Sequence, residues 1–385
     1  MNQQSGRMLS MSRELAALEK LVRCESPSED LDACRSVIKL ANQIATEELG
    51  SSGEIQEVNG RPVLWWGNKN PKVVLLTHLD TVWPIGSFDP LWQIDGDVLR
   101  GPGTFDMKVG FIQGLFALKG IKDIEGSVAL IATTDEETGS KTSRELIEKV
   151  SKDASAVLVL EASQDGKVKI GRKGTAMYVI KAVGLASHAG LEPEKGINAT
   201  VEIAAQILKL KDLESKEHGT TVVPTLLKGG TTANTVPAEA TLEIDARSFS
   251  QSDLERVDRA IRSLTAQTEG AKLEISGGLS RPVLETSSTK ELYEIAEVVA
   301  KELGLAPLGA VQVGGASDGN FAAAAGARVL DGLGAIGGGA HAAQPVWSGQ
   351  GVRAAAHERV EAKQKIGTVV IDCAGGSGEA SSPQI

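Results

Sequence analysis

Acidic and imidazole side chains recur in this 385-residue sequence beside apolar runs and tight glycine turns. The groups that could do chemistry are His78 with Asp80, Asp106, Glu136 with Glu137, Glu161, and His341. Histidine and carboxylate without cysteine form the ligand set of zinc or another divalent metal in hydrolases. Two histidines and three carboxylates suit two metals that share one bridging carboxylate, and a further carboxylate nearby could then act as a general base.

Each of these groups also has a purely structural interpretation. A single carboxylate after a strand more often caps a helix or lies solvated in a loop, and adjacent glutamates are more often on the surface. Their recurrence favours a site, because four predicted buried strands, at residues 73–77, 128–133, 156–160 and 329–330, are each followed by His, Asp or Glu. The carboxyl ends of parallel strands lie along one edge of a sheet. His78 and Asp80 are two residues apart in an extended segment, so their side chains point to the same side.

The elements that must position these groups follow an α/β order. Unbroken apolar runs at residues 73–77, 128–133 and 156–160 predict strands that are buried on both faces. Apolar periodicity predicts helices at residues 11–24 and 107–119. The fold class expected is therefore a mostly parallel sheet with helices on both faces.

The pattern changes in the middle of the chain, where the predicted order is β-α-β-β-α-β, as in a ferredoxin-like α+β domain. Its first helix is predicted at residues 199–210, with a buried face formed by Val201, Ala204, Ala205 and Leu208. Its second helix is predicted to open on a capping box formed by Ser252 and Glu255. The sequence thus predicts a catalytic domain in two parts, residues 1–173 and 283–385, with a lid or dimerisation domain inserted at residues 174–282.

Composition limits the class of protein. Fifty acidic residues outnumber forty basic ones, and the net charge of -10 argues against a nucleic-acid or anionic-membrane partner. No apolar run approaches the roughly 18 residues of a membrane span, and the polar N-terminus lacks the apolar core of a secretory signal. Three cysteines without a CxxC pair suit neither a disulfide framework nor a cysteine-built zinc site. We expect a cytoplasmic, multidomain enzyme.

Six segments resemble, in the same order, motifs of the di-zinc peptidase family that includes glutamate carboxypeptidases, acetylornithine deacetylase, succinyl-diaminopimelate desuccinylase and aminoacylases. The resemblance extends over roughly residues 15–341 and includes the inserted lid. The matching segments are HLDT at His78, GPGTFDMK around Asp106, TDEETGS around Glu136, LEAS at Glu161, SHAG at His188 and GGGAH at His341. The run from HLDT through TDEE is most similar to the glutamate carboxypeptidase branch.

The resemblance implies two Zn²⁺ ions, for which Co²⁺ or Mn²⁺ could substitute. His78 and Glu161 would bind one metal, Glu137 and His341 the other, and Asp106 would bridge them. The sequence departs from the family after His341, where the amphipathic helix that closes the catalytic domain of relatives has no clear counterpart.

The resemblance also assigns catalytic roles. Glu136 would be the general base that takes a proton from the water shared by the metals, and Asp80 would orient His78. His188 in the lid would reach the partner subunit's site and stabilise the oxyanion. The peptide between Asp106 and Met107 is often cis in the family.

Three further residues are placed by the resemblance at the substrate carboxylate, namely Asn234, Arg247 and Arg281. The function expected is a metal-dependent carboxypeptidase or amidohydrolase that cleaves an amide bond next to a free carboxylate in a small peptide or N-acyl amino acid. The alternatives are an N-acyl-amino-acid deacylase and a non-catalytic metal-binding dimer with this fold. A homodimer formed through the lid is expected in each case.

One glycine pattern allows a different interpretation. Gly332-x-Gly334-x-x-Gly337 formally matches a dinucleotide-binding fingerprint. Two further glycines follow it where that motif requires a helix, so a nucleotide site is not predicted.

Overall fold

The computed structural model describes residues 3–95, 98–119, 121, 126–339 and 347–348, with side chains from residue 13 onward in the N-terminal helix. The chain divides into two compact units. Among the described residues, the first unit comprises those up to Ile170, Thr286–Gln312 and those from Ser317 onward, and the second comprises Gly171–Glu285 and Val313–Ala316. His341 and most of the segment after it lie outside the described residues.

Helices and strands are numbered in chain order. The helices are α1 (Gln3–Arg23), α2 (Leu31–Leu49), α3 (Val109–Lys119), α4 (Arg144–Lys152), α5 (Ala199–Lys211), α6 (Gln251–Arg262), α7 (Lys290–Glu302) and α8 (Asp318–Ala324). The strands are β1 (Glu54–Val58), β2 (Arg61–Gly67), β3 (Val73–His78), β4 (Gln93–Asp95), β5 (Val98–Arg100), β6 (Val128–Thr133), β7 (Ala156–Val159), β8 (Val168–Arg172), β9 (Gly174–Val183), β10 (Thr221–Gly229), β11 (Glu239–Ser248), β12 (Lys272–Arg281), β13 (Ala310–Val313), β14 (Val329–Leu330) and β15 (Trp347–Ser348). No helix in these ranges is long and apolar enough to cross a membrane.

The first unit is built on a sheet with the strand order β1-β2-β6-β3-β7-β14. Strands β6, β3, β7 and β14 are parallel, whereas β1 and β2 are antiparallel additions at one edge. Every residue of β3, β6 and β7 is buried, which confirms the strands predicted from unbroken apolar runs. The mostly parallel α/β class is confirmed.

Two element boundaries near the chemistry differ from those predicted. Strand β3 extends to His78, so the imidazole belongs to the last strand residue. Helix α3 begins at Val109 because Asp106 and Met107 have non-helical backbone angles in the preceding turn. The Asp106–Met107 peptide is cis, as the family resemblance implies.

The second unit contains an antiparallel sheet with the order β10-β11-β9-β12. With α5 and α6 inserted between the strands, this is the predicted ferredoxin-like arrangement. Its core includes Tyr178 and Ile180 of β9, Leu242 and Ile244 of β11, and Leu254 of α6.

The predicted buried face of α5 is wrong. Val201 is 56% exposed and Leu208 is 70% exposed. The helix instead buries a mixed stripe of Ala199, Glu202, Ile203, Gln206 and Leu210. Polar side chains can face inward here because Glu202 accepts hydrogen bonds from Gln206 Nε2 and from the backbone amides of Gln267 and Thr268.

The predicted cap of α6 is also wrong by two residues. Ser250, not Ser252, precedes the helix, and its hydroxyl accepts a hydrogen bond from the amide of Asp253. The helix packs its apolar side against the sheet, and Leu254 and Val257 are fully buried.

Candidate metal centre

Three of the predicted ligands converge at the carboxyl edge of the parallel sheet. His78 Nε2 lies 3.2 Å from Asp106 Oδ1 and 3.6 Å from Glu161 Oε1. One ligand atom of each residue lies within 4.8 Å of the other two. The three residues come from the end of β3, the turn before α3 and the segment just beyond β7. This spacing is suitable for a single cation held by one imidazole and two carboxylates.

The imidazole of His78 is only 1% exposed and lies among carboxylates. Burial acts to lower the pKa of His78, but contacts with Asp106, Asp80 and Glu161 outweigh it and raise that pKa well above its usual value. A buried group of three carboxylates around one imidazole carries excess negative charge. A divalent cation would balance that charge, so the donor set fits a metal.

Asp80 lies on the Nδ1 side of the His78 ring and is fully buried. Its Oδ1 is 3.4 Å from His78 Nδ1, and its Oδ2 accepts hydrogen bonds from Ser28 Oγ at 2.7 Å and from the backbone N–H of Glu137 at 3.2 Å. Burial acts to raise the pKa of Asp80, but the contacts with His78, Ser28 and Glu137 lower it overall. An ionised Asp80 beside Nδ1 leaves Nε2 to face the other two candidate ligands.

Glu136 and Glu137 lie in a short 3₁₀ turn, Glu136–Thr138, that follows β6. Both side chains are half-buried. Burial raises the pKa of Glu137 to about 9, and the negative charges of Asp106, Glu136 and Asp80 act in the same direction. Glu137 therefore shares the electrostatic environment of Asp106, although it is not part of the three-residue ligand group. The last predicted ligand, His341, lies outside the described residues.

Close backbone packing holds Glu161 in place. Gly334 donates its N–H to Glu161 O at 2.7 Å, and a Cβ at Gly334 would lie 2.2 Å from Leu160 O. A Cβ at Gly110 of α3 would lie 1.9 Å from the same oxygen, so neither position can carry a side chain without displacing the backbone. The glycine run that formally matched a nucleotide motif thus includes a residue that packs against the candidate ligand segment.

Other residues that touch the predicted groups were missed by the sequence analysis. Lys169 is largely buried, and its Nζ lies 4.0 Å from Glu161 Oε2. Ser28 donates to Asp80 across 52 positions of sequence. Neither residue belongs to a recognisable local motif, so only their positions in the folded unit reveal these contacts.

Two of the predicted residues of the second unit lie side by side. His188 is exposed, and its Nδ1 accepts hydrogen bonds from the backbone amides of Gly190 at 3.2 Å and Leu191 at 3.1 Å. The N–H of Ala189 donates to Asn234 O at 2.9 Å, which joins the two loops. The Nδ1 contacts leave the Nε2 side of the ring as the candidate donor to a ligand.

The two predicted arginines are in different environments. Arg247 is held by Asp245, with Nε–Oδ1 and Nη2–Oδ2 distances of 2.9 and 2.8 Å, and it also donates to Gly314 O. The contact with Asp245 raises the pKa of Arg247. Arg281 ends β12 and is 6% exposed.

The chain is similar in sequence and fold to known peptidases and amidohydrolases. Residues 170–271 match the peptidase dimerisation domain of M20 peptidases. The chain is 31% identical over 358 residues to carboxypeptidase G2 of Pseudomonas sp. (strain RS-16), which covers 85% of this chain and 82% of that relative. It is 27% identical over 274 residues to a succinyl-diaminopimelate desuccinylase of Nitratiruptor sp., covering 66% and 73% of the two chains. The fold is similar to that of a tripeptidase from Staphylococcus aureus, with a TM-score of 0.74, 22% identity and coverage of 94% and 98%.

Proposed function

This chain belongs to the M20 peptidase family, and from that premise we propose that it is a two-zinc hydrolase of the glutamate carboxypeptidase type. It would cleave an amide bond next to a free carboxylate in a small peptide or N-acyl amino acid. The observation that carries this proposal is the convergence of His78, Asp106 and Glu161 at the carboxyl edge of the sheet. The domain organisation proposed is a catalytic domain, residues 1–173 and 283–385, with an inserted domain at 174–282.

The donor set supports a metal ion that accepts both nitrogen and oxygen ligands. Imidazole and carboxylate suit zinc, and they also accept cobalt or manganese. His78 and Glu161 would hold one ion and Asp106 both, while Glu137 and His341 would complete the second position. When bound, the metal supplies Lewis acidity toward the amide carbonyl and lowers the pKa of water.

The remaining chemistry belongs to side chains near this group. Glu136 would take a proton from the attacking water and deliver it to the leaving amine. Support for that role comes from its position in the turn after β6, beside Glu137. Asp80 would keep His78 oriented, for which its contact with Nδ1 is the supporting observation.

The second unit would supply substrate recognition and the dimer interface. Asn234, Arg247 and Arg281 would bind the substrate carboxylate, and His188 would stabilise the oxyanion in the partner's site. The match to a dimerisation domain supports a homodimer. The exposed apolar side chains of Val201 and Leu208 on α5 give that interface a candidate surface.

The decisive experiment compares the hydrolysis of several amides by one metal-free preparation before and after it is loaded with zinc, cobalt or manganese. We expect a chelator to abolish cleavage of dipeptides with C-terminal glutamate and of N-acyl glutamates, and each metal to restore it. Faster cleavage of N-acetylornithine or N-succinyl-diaminopimelate would favour the N-acyl-amino-acid deacylase instead, for which the similarity to a desuccinylase is the motivation.

The matched variants are His78→Ala, which should lose both metal and turnover, and His218→Ala, a histidine of the second unit, which should keep both. Full hydrolysis without metal would contradict the mechanism. Stoichiometric metal binding without turnover of any of these amides would favour the non-catalytic dimer.

A further inference from the structure

The loop of residues 134–139 carries Glu136 and Glu137, and Thr133 and Ser140 flank its two ends. Both of these end residues are fully buried and direct their hydroxyl groups to one carboxylate, that of Asp318. Ser140 Oγ donates to Asp318 Oδ1, and Thr133 Oγ1 donates to Asp318 Oδ2 at 3.3 Å. The two oxygens of a single side chain therefore hold the two ends of the loop.

The backbone at Ser140 needs such support. Ser140 has a φ of +54°, in the left-handed region that serine adopts only at a steric cost. Besides the contact with Asp318, its N–H donates to Asp135 O at 2.7 Å, and its carbonyl accepts from the N–H of Arg144 at 2.9 Å. An unfavourable backbone conformation persists where surrounding contacts over-determine it, as they do here.

The position of Asp318 is fixed by its own helix and by neighbouring hydrogen bonds. Asp318 is 3% exposed and begins α8, whose preceding residue Ser317 forms a capping box with Asn320. Ser317 Oγ also donates to the buried carboxylate of Asp331 at 2.8 Å. The position of Asp318 is thus set by the end of the central sheet and by the start of α8, not by the loop that it holds.

We propose that Asp318 is a positioning residue for the reaction: it fixes the distance between the two ends of the 134–139 loop, so that Glu136 and Glu137 are presented to the metal centre. This inference rests on the proposed function. Asp318 lies 178 positions from Ser140 in sequence and makes its contribution through the two hydroxyl groups. A carboxylate suits the task because it can accept from two separate donors at once.

The test measures amide hydrogen exchange of the loop in the metal-free chain, together with kcat and KM of the metal-loaded enzyme. For Asp318→Ala we expect the amides of residues 135–140 to exchange about tenfold faster or more, because the local opening becomes easier. We expect kcat to fall roughly 10–100-fold with little change in KM, since misplacing a catalytic group by about 1 Å has that effect.

The conservative variants separate geometry from charge. Asp318→Asn keeps the shape and one acceptor, and the hydroxyl of Ser140 can accept as well as donate, so most of kcat should be recovered. Ser140→Ala and Ser140→Gly both lose the hydroxyl, but glycine tolerates a positive φ, so Ser140→Ala should show the faster loop exchange and the lower kcat. If Asp318→Ala fails to fold, the same measurements on Asp318→Asn, Ser140→Ala and Ser140→Gly test the proposal.

The matched control is Thr289→Val, which removes another fully buried hydroxyl of the first unit, one that donates to Ile170 O at 2.8 Å. It should lower Tm without changing loop exchange or kcat. An Asp318→Ala protein that behaved like this control, with loop exchange and kcat unchanged, would overturn the proposal. A wild-type chain that hydrolysed no amide would refute the proposed function instead, while the exchange rates would still decide whether Asp318 holds the loop.

Discussion

The carboxylate of Asp80 accepts a hydrogen bond from the backbone N–H of Glu137 at 3.2 Å, across 57 positions of sequence. Its other oxygen lies 3.4 Å from Nδ1 of His78. A single fully buried side chain therefore connects the end of β3 to the turn that follows β6. Any displacement of Asp80 is transmitted to an imidazole on one side and to the Glu136–Glu137 turn on the other.

Replacing Asp80 should weaken metal binding. We expect Asp80→Ala to reduce metal affinity by about 10–100-fold, the usual effect of losing the partner that orients a ligating histidine. Competition against a chromophoric chelator measures this affinity. Asp95→Ala, which removes an exposed carboxylate on β4, should leave it unchanged. Equal affinities for the two variants would show that Asp80 has no role in orienting the ligands.

Glu136 and Glu137 are adjacent, but their roles should separate on substitution. Glu136→Gln should retain the metals while kcat falls roughly 10²–10⁴-fold, the contribution of a positioned proton-transfer group. Glu137→Gln should lose metal as well as rate, because a neutral amide replaces a charged ligand. Metal analysis of both purified variants beside their kcat values makes the comparison. Loss of metal from both would mean that this division of roles is incorrect.

The exposed face of α5 should be part of a dimer interface. Placing a charge there with Leu208→Asp should weaken the dimer about 10–100-fold, since burying one leucine contributes roughly 1.5–3 kcal/mol. Sedimentation over a range of concentrations measures the dissociation constant. Val298→Asp on α7, also at an exposed apolar position, is the control and should leave the dimer intact. An unchanged dimer in Leu208→Asp would place the interface elsewhere.

His188 should act on the partner's site. His188→Ala alone should lower kcat by about 10²–10³-fold, the usual effect of removing an oxyanion donor. Mixed with inactive Glu136→Gln chains, it should regain activity, because a heterodimer has one site with an intact Glu136 and the partner's His188. Mass spectrometry of tagged chains must show that subunits exchange. Exchanged mixtures that stay inactive would mean that His188 acts within its own chain or not at all.

Glu202 should make the second unit sensitive to acid. Burial acts to raise the pKa of Glu202, but hydrogen bonds from Gln206, Thr268 and Gln267 lower it overall. A carboxyl with a lowered folded-state pKa contributes stability above its unfolded pKa of about 4.3 and loses it as the pH falls through the folded value. Thermal unfolding should therefore show Glu202→Gln to be less stable than wild type by about 1–3 kcal/mol at pH 7.

That difference should shrink as the pH falls from about 4.3 toward the lower folded-state pKa, because the unfolded chain binds the proton first and the folded carboxylate binds it only at lower pH. Glu194→Gln, a substitution at an exposed glutamate of the same unit, should match wild type at every pH. A stability gap for Glu202→Gln that did not change with pH would show that the carboxylate's charge is not what stabilises this unit.

Local patterns were sufficient to predict the main elements of the fold. Strands β3, β6 and β7 follow from unbroken apolar runs, since a strand covered on both faces leaves no room for polar side chains. The ferredoxin-like order of the second unit follows from the succession of strand and helix periods. The same patterns made His78, Asp106 and Glu161 candidates for a metal site, and the family resemblance implied that they are ligands. The structure brings one ligand atom of each within 4.8 Å of the others.

Local patterns failed where a polar group is buried with partners from elsewhere. Helix α5 turns Glu202 and Gln206 inward and leaves Leu208 exposed, because amides near residue 267 satisfy the carboxylate. Apolar periodicity assigns the buried face by hydrophobicity alone, so it cannot anticipate hydrogen bonds supplied by a distant segment.

The residue types and strand ends that could form a metal site were determined by the sequence itself. Only the tertiary structure decided which distant groups form hydrogen bonds around this site. Asp80 accepts from Ser28 and from the backbone of Glu137, and Asp318 accepts from Ser140. Each of these hydrogen bonds joins residues more than 50 positions apart. The geometry of a hydrogen bond depends on distance in space, and for such pairs that distance is set by how the sheet and helices pack, which no local pattern specifies.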